Sequence, residues 1–238
     1  MPSRQLPLVS VITVNYNGRD FLKDCFSSLL ALEYPPDRLE IIMVDNGSKD
    51  GSIAYMKKYF PKVILLKNSE NNYTKSNNLG IKHAGGEYIV FINNDVRVDK
   101  RWLIHLVRFA QKSPRVGVVG SKILSMDSRL ETVGHREDPN FYWGNIGWAS
   151  RDQGRHDNIK EVPSICGCSV LYKKECLKNI GLFDEDFNMY LEDVDMAIRC
   201  KKRGWKLAVC TKSIIYHHLR EQLRKMKWQS IGRSVTGY

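Results

Sequence analysis

The sequence predicts an α/β protein with a mostly parallel central sheet covered by helices on both faces. Short runs that are apolar throughout alternate with segments of helical periodicity, the pattern of strands buried on both sides. Three of those runs end in polar loops, Asn15-Tyr16-Asn17, Asp45-Asn46-Gly47-Ser48 and Asn93-Asn94-Asp95. In a parallel sheet such tips share one edge. The loops therefore converge on one crevice, where open α/β sheets place ligand chemistry.

Leu8 to Val14 reads as the first strand, broken by Asn15-Tyr16-Asn17-Gly18 and followed by a helix to about Leu32. Tyr34-Pro35-Pro36-Asp37 is a turn. Leu39 to Val44 is a second strand, and Asp50-Gly51-Ser52 opens a helix with Ser52 as its cap. Val63 to Leu66 is a third strand. Ser76 to Ala84 is a helix stopped by Gly85-Gly86. Tyr88 to Ile92 is the fourth strand, Arg101 to Gln111 a helix, and Val116 to Val119 another strand. From Glu131 to Pro163 periodicity is lost, and Phe141, Tyr142, Trp143 and Trp148 stand among polar residues. Aromatic faces stack sugars, so this segment reads as an acceptor loop; a surface loop with its rings tucked onto the core is the competing reading. Cys166 to Tyr172 is a strand, Lys173 to Asn179 a helix, and Phe183 to Phe187 an acidic turn. A helix then runs from the Tyr190-Leu191-Glu192-Asp193 segment to about Lys202, and Ser213 to Tyr216 is a strand ending at His217-His218.

At 238 residues the chain fits one domain, residues 1–218, with an appended segment, 219–238. No apolar run approaches the ~18 residues of a membrane span. Met1 to Pro7 lacks the apolar core of a secretory signal, so a cytosolic location is expected. Cys166-Gly167-Cys168 suggests a metal or redox pair, but no second Cys or His pair of zinc-finger type accompanies it, and the six cysteines read as buried free thiols. The net charge of +11 is uneven: from Arg199 onward eleven Lys or Arg face one acid, Glu221, which leaves +1 for the rest. That basic end implies an anionic partner, either lipid or nucleic acid. Leu219, Leu223 and Met226 form an apolar stripe within it, as in a membrane-surface helix or a terminal helix lying on the core.

Asp95, a carboxylate beside the amides Asn93 and Asn94 at a strand tip, suits a hard divalent cation held partly by substrate phosphates. An Asn-Asn-Asp turn is the alternative. No glycine-rich phosphate loop follows the first strand, which argues against Rossmann dinucleotide and P-loop enzymes. A nucleotide would be held by side chains and a metal.

Several blocks resemble glycosyltransferase family 2, the nucleotide-sugar-dependent enzymes of GT-A fold. They are Val9 to Asn17, Val44 to Ser52, Asn77-Asn78-Leu79-Gly80 through Asp95, and Leu182 to Phe187 with Glu192-Asp193-Val194-Asp195. Asp152-Gln153-Gly154-Arg155-His156-Asp157 is similar to a segment of the family's rhamnosyltransferase-like branch. Two positions depart from the family pattern. Asn93 replaces the first acid of D-x-D, and Asn72 stands at a glycine position, tolerable because Asn enters the left-handed region readily. The chain stops soon after His218, as a short member or a fragment.

The resemblance implies a nucleotide-sugar-binding half (1–100), an acceptor and catalytic half (101–218), a nucleoside-diphosphate-sugar donor and Mg²⁺ or Mn²⁺. It implies Asp95 and His217 as metal ligands, with His218 the second choice. Asp193 is the implied general base, with Glu192 its competitor, in an inverting transfer. Thr13, Asn15, Tyr16 and Asp45 are implied to hold the base, and Asn93 and Asn94 to line the site with Trp143 and Trp148. Lys75 approaches the base or the diphosphate, or is an exposed helix lysine. Gly167 lets the chain pass close to substrate, or marks a bulge. Asp195 and Arg199, four apart, read as an ion pair. The expected acceptor is a glycan or lipid-linked hydroxyl at the inner membrane face. The competing classes are a nucleotidyltransferase, which would want a basic phosphate loop, a degenerate nucleotide binder, and a nucleic-acid-binding protein, against which the neutral body argues.

Overall fold

The computed structural model describes residues 6–139 and 143–218. The basic stripe beyond His218, and Phe141 and Tyr142 of the aromatic loop, lie outside the described residues. In chain order the elements are β1 (Val9–Asn15), α1 (Arg19–Leu30), β2 (Leu39–Asp45), α2 (Ser52–Tyr59), β3 (Ile64–Lys67), α3 (Tyr73–His83) and β4 (Tyr88–Ile92). There follow β5 (Val96–Val98), α4 (Trp102–Gln111), β6 (Val116–Ser125), β7 (Leu130–Thr132), β8 (His135–Glu137), β9 (Trp143–Asn145), β10 (Ser169–Lys173), α5 (Lys174–Ile180), α6 (Glu192–Lys202) and β11 (Lys206–His217).

The main sheet has the order β3-β2-β1-β4-β10-β6-β11-β5, with β7 beside β6. Strands β1 to β4 are parallel. β10 is antiparallel to both β4 and β6, so β6 runs with β4, and β11 runs with β6. Both faces are covered, as uniformly apolar strands demand. Val9, Val11, Ile41, Met43, Val90 and Ile92 pack with Phe26, Met56 and Trp102 of α1, α2 and α4. The alternating Ile12, Ile42, Val44, Ile89 and Phe91 pack with Leu177 and Met196 of α5 and α6, and with Leu79 of α3. The period-2 pattern thus splits each strand between two cores.

Three local expectations are corrected. Ser52 is not the cap of α2: Gly51 holds that position at φ +82°, and Asp50 Oδ1 accepts the Ser52 N–H at 3.1 Å. Asn72 is not left-handed: at φ −133° it is the N-cap of α3, accepting the Lys75 N–H at 2.9 Å. Gly85-Gly86 does not stop α3 as a left-handed cap, since α3 ends at His83 with an extended Ala84. Gly86 is glycine because a Cβ there would stand 2.6 Å from the Ser10 backbone nitrogen. The strands expected at Val116–Val119 and Ser213–Tyr216 are longer than the local pattern suggested, and all six cysteines are free. Asp195 and Arg199 pair at 2.6 Å.

Gly80 shows how tightly α3 lies on the sheet. A Cβ there would stand 2.6 Å from Ile12 Cγ2. Gly80→Ala gains helix propensity of about 1 kcal/mol but overpacks the core at a cost of about 1–3 kcal/mol. The expected result is a lower urea midpoint, and a higher one would mean α3 shifts without penalty.

Candidate active site

Topology assembles the site. The parallel strands β1, β2, β4, β6 and β11 deliver their C-terminal tips to one edge. β10 runs the other way, so its beginning, Cys166-Gly167-Cys168, lies at that same edge.

Side-chain amides stitch the first tips together. Asn15 Nδ2 donates to Asp45 Oδ1 at 3.1 Å and to Ser48 Oγ at 2.9 Å, and Asn94 Nδ2 donates to Asn15 Oδ1 at 2.7 Å. Asp45 Oδ2 also accepts the backbone N–H groups of Gly47 and Ser48. Asp45 therefore shapes its own turn, with Oδ1 turned to Asn15. Thr13 is fully buried and its hydroxyl has no hydrogen-bond partner among the described residues. Tyr16 is exposed at the mouth. Lys75 is drawn away to Glu70, at 2.5 Å.

The Asp95 carboxylate is 1 % exposed, and its Oδ2 lies 3.2 Å from His217 Nε2. Beyond that contact neither oxygen has a hydrogen-bond partner among the described residues. A buried carboxylate so poorly solvated is costly unless a cation completes it. His217 Nδ1 is held by Glu131 Oε2 of β7 at 2.8 Å, fixing the ring. This is the carboxylate–histidine support that metal-binding imidazoles use. Burial opposes charge on His217, yet Cys168, Asp95 and Glu131 together raise its pKa far above the ordinary range. A divalent cation fits here by displacing that proton, which leaves the Asp95 oxygen and a neutral His217 nitrogen facing one another from two strand tips. His218 turns elsewhere. Its N–H donates to the Asp95 carbonyl, and its ring lies against Phe21.

Three consecutive residues join this pair to the second acid. The Asn93 N–H donates to the Cys168 carbonyl at 3.1 Å, and the Gly167 N–H donates to Asp193 Oδ2 at 3.0 Å. Asp193 and Asp95 thus flank one short peptide at the sheet edge. A Cβ on Gly167 would sit 3.5 Å from Glu192 Oε1 and 3.6 Å from the Asp193 Cβ, so any side chain there projects toward the acids.

Glu192, beside Asp193, is buried, and its Oε2 has no hydrogen-bond partner among the described residues. Burial, reinforced by Asp193, raises its pKa to about 7. The folded state therefore holds this proton up to about pH 7, where the unfolded carboxyl releases it near pH 4.3. Stability falls as pH rises through that window and levels above it. Glu192→Gln should flatten the decline and raise stability at pH 8 by about 1–3 kcal/mol. Melting curves at pH 5 and pH 8 test this, and equal slopes in both proteins would exclude it.

Asn78 ties α3 to the segment that precedes α6. Its side chain donates to the Phe183 carbonyl at 2.9 Å and accepts the Phe183 N–H at 3.0 Å. That bidentate contact fixes the segment leading to Glu192 and Asp193. The aromatic loop reaches the same place: β8 and β9 pair, and His135 of β8 comes within 4.8 Å of the Asp193 carboxylate. Trp143 is half-buried on β9, and Trp148 is 55 % exposed. Sequence reasoning missed Glu131 and His135, which sit in the aperiodic stretch where no local signal marks them, and it set Cys168 aside as a free thiol.

The model of the family described as Glycosyl transferase family 2 matches residues 10–181, and the chain belongs to that family. It is 29 % identical over 228 residues to the O-antigen biosynthesis protein RfbC of Myxococcus xanthus, covering 91 % of this chain and 18 % of that protein. It is 26 % identical over 237 residues to the N-acetylglucosaminyl-diphospho-decaprenol L-rhamnosyltransferase of Mycobacterium tuberculosis, covering 89 % of this chain and 76 % of that one. The chain therefore spans a minor part of the first relative and about three quarters of the second. The mannosyltransferase PcManGT of Pyrobaculum calidifontis, solved with GDP-Man and Mn²⁺, superposes with a TM-score of 0.69 at 20 % identity, over 90 % of this chain and 58 % of that one. The GT-A-type fold follows. No helix among the described residues is long and apolar enough to cross a membrane.

Proposed function

We propose that this chain is an inverting, metal-dependent glycosyltransferase domain. It moves a sugar from a nucleoside-diphosphate sugar to a hydroxyl of a glycan or lipid-linked acceptor, in the synthesis of a cell-surface polysaccharide or glycoconjugate. The observation that carries the reading is the peptide Cys166-Gly167-Cys168, which bonds Asn93, two residues before Asp95, on one side and Asp193 on the other. The donor and the Mn²⁺ of the mannosyltransferase neighbour support the same reading.

In this assignment Asp95 and His217 hold Mg²⁺ or Mn²⁺, which offsets negative charge on the departing diphosphate. Asn15, Asp45, Thr13 and Tyr16 surround the nucleoside, and Asn93 and Asn94 border the diphosphate. Asp193 takes the proton from the acceptor hydroxyl. The freed oxygen attacks the anomeric carbon from the face opposite the diphosphate, so the configuration inverts. The Gly167 N–H keeps Asp193 Oδ2 aimed. Glu192, whose pKa of about 7 suits proton transfer near neutral pH, is the competing base beside it. Trp143 and Trp148 face the acceptor side. Residues 1–100 serve the donor and 101–218 the acceptor. The basic segment beyond residue 218 holds the domain to an anionic membrane surface on the cytoplasmic side. Nucleic acid is not a partner.

The test is a panel of nucleoside-diphosphate sugars, with and without Mn²⁺, read by thermal shift and by sugar transfer or hydrolysis. The correct donor should raise the melting temperature by mass action only when the cation is present. A chain that no donor stabilises and that turns over none of them is not this enzyme.

A further inference from the structure

Away from Asp95 and His217, one group of side chains has a different chemistry. His135 of β8, Cys166 before β10 and Asp193 at the start of α6 place one nitrogen, one sulfur and one oxygen within 4.8 Å of one another. They come from three separate elements, and the backbone holds each in place. The His135 N–H donates to the Ser164 carbonyl at 2.9 Å, which ties β8 to the segment carrying Cys166. The Gly167 N–H holds Asp193. His135 Nδ1 is buried without a hydrogen-bond partner among the described residues. Burial keeps this imidazole neutral, the form that binds metals.

We propose that His135, Cys166 and Asp193 form a second metal site, selective for a thiophilic divalent cation of the Zn²⁺ class, whose occupancy switches transfer off. Bond lengths of about 2.0–2.3 Å to N, O and S place tetrahedral ligands about 3.5 Å apart. The three donors must close by little more than ~1 Å from their separation here. On binding, the Cys166 thiol releases its proton to solvent and the thiolate takes the metal. Mg²⁺, which demands oxygen ligands, is excluded by the sulfur. Three protein ligands leave a fourth position open to water.

The switch rests on Asp193 being the base of the proposed reaction. A carboxylate committed to a cation no longer accepts the acceptor's proton. The two cation sites are then opposed in effect: the carboxylate–imidazole pair serves the donor, and the sulfur-containing triad removes the base. Cys166 and His135 belong to the second site alone.

Co²⁺ titration of the protein in excess Mg²⁺ decides the site without reference to activity. The expected result is a thiolate-to-cobalt charge-transfer band with tetrahedral d–d absorption, displaced by Zn²⁺. Cys166→Ala and His135→Asn should each lose the band and weaken binding by about 100-fold or more, beyond what outer-shell changes cause. His217→Ala and Cys168→Ala should keep it. Melting temperatures confirm that each variant is folded, and either variant of the triad suffices if the other is not. A band that survives both triad variants, or that disappears only in Cys168→Ala or His217→Ala, overturns the site. In transfer assays with Mg²⁺, Zn²⁺ should inhibit the wild type at least tenfold, and Cys166→Ala should stay active and insensitive. Cobalt binding without inhibition overturns the switch. A protein that transfers no sugar refutes the function proposed above while the cobalt spectra still decide the metal site.

Discussion

Asp193→Asn should lower the rate of the proposed sugar transfer by about 10²- to 10⁴-fold, the usual contribution of a positioned general base, while nucleotide-sugar affinity stays within about twofold. The asparagine keeps the shape and still accepts the Gly167 N–H that Asp193 accepts at 3.0 Å. What disappears is the capacity to take a proton. Because the loss falls on the chemical step, kcat carries it and KM for the donor does not. Glu192→Gln is the matched control. With Asp193 as the base, the Glu192 amide variant should lose far less activity than Asp193→Asn at pH 8, even though the Glu192 pKa of about 7 would suit a base. A profile in which Glu192→Gln is the dead variant would move the base one residue back, within the same crevice. Full activity in Asp193→Asn removes general-base catalysis by this helix altogether.

The parts of the fold that sequence made legible are those set by local pattern. Apolar runs gave the parallel strands, and polar residues following them gave the edge. Asp95 stands out as a candidate because a carboxylate ends an apolar run, and Asp193 because it stands in an acidic block that resembles the family's. Three features were not visible. β10 reads as one more apolar strand, yet it inserts antiparallel between β4 and β6. Periodicity does not encode direction, and direction is what puts Gly167 beside Asp193. Glu131 lies on a three-residue strand paired to the far end of β6, too short to show alternation. The Asn77-Asn78-Leu79-Gly80 block carried a family likeness but no mechanism until Asn78 was seen to clamp the Phe183 peptide. Long-range pairing decides all three, and no window of neighbouring residues contains it.

Asp95→Asn and His217→Ala should each abolish the cation-dependent rise in melting temperature that the donor produces. Each should also lower kcat/KM by at least ~10²-fold, equivalent to about 2.7 kcal/mol of transition-state stabilisation. Asp95 is 1 % exposed and holds the only carboxylate that faces His217 Nε2 among the described contacts. Replacing it with an amide keeps the volume and removes the charge that draws a divalent ion into a buried place. Glu131→Gln supplies the graded comparison. It touches His217 Nδ1 at 2.8 Å from the side away from Asp95, so it acts by orienting the ring. Its loss should weaken Mn²⁺ by about 10- to 100-fold without ending turnover at saturating metal. The order Asp95, then Glu131, separates ligation from support. A buried ion pair with no metal role behaves differently. Breaking it lowers the melting temperature by the same amount with or without Mn²⁺, and excess cation restores nothing. The double variant sharpens the distinction: two ligands of one ion are strongly non-additive in kcat/KM, because the first loss already empties the site.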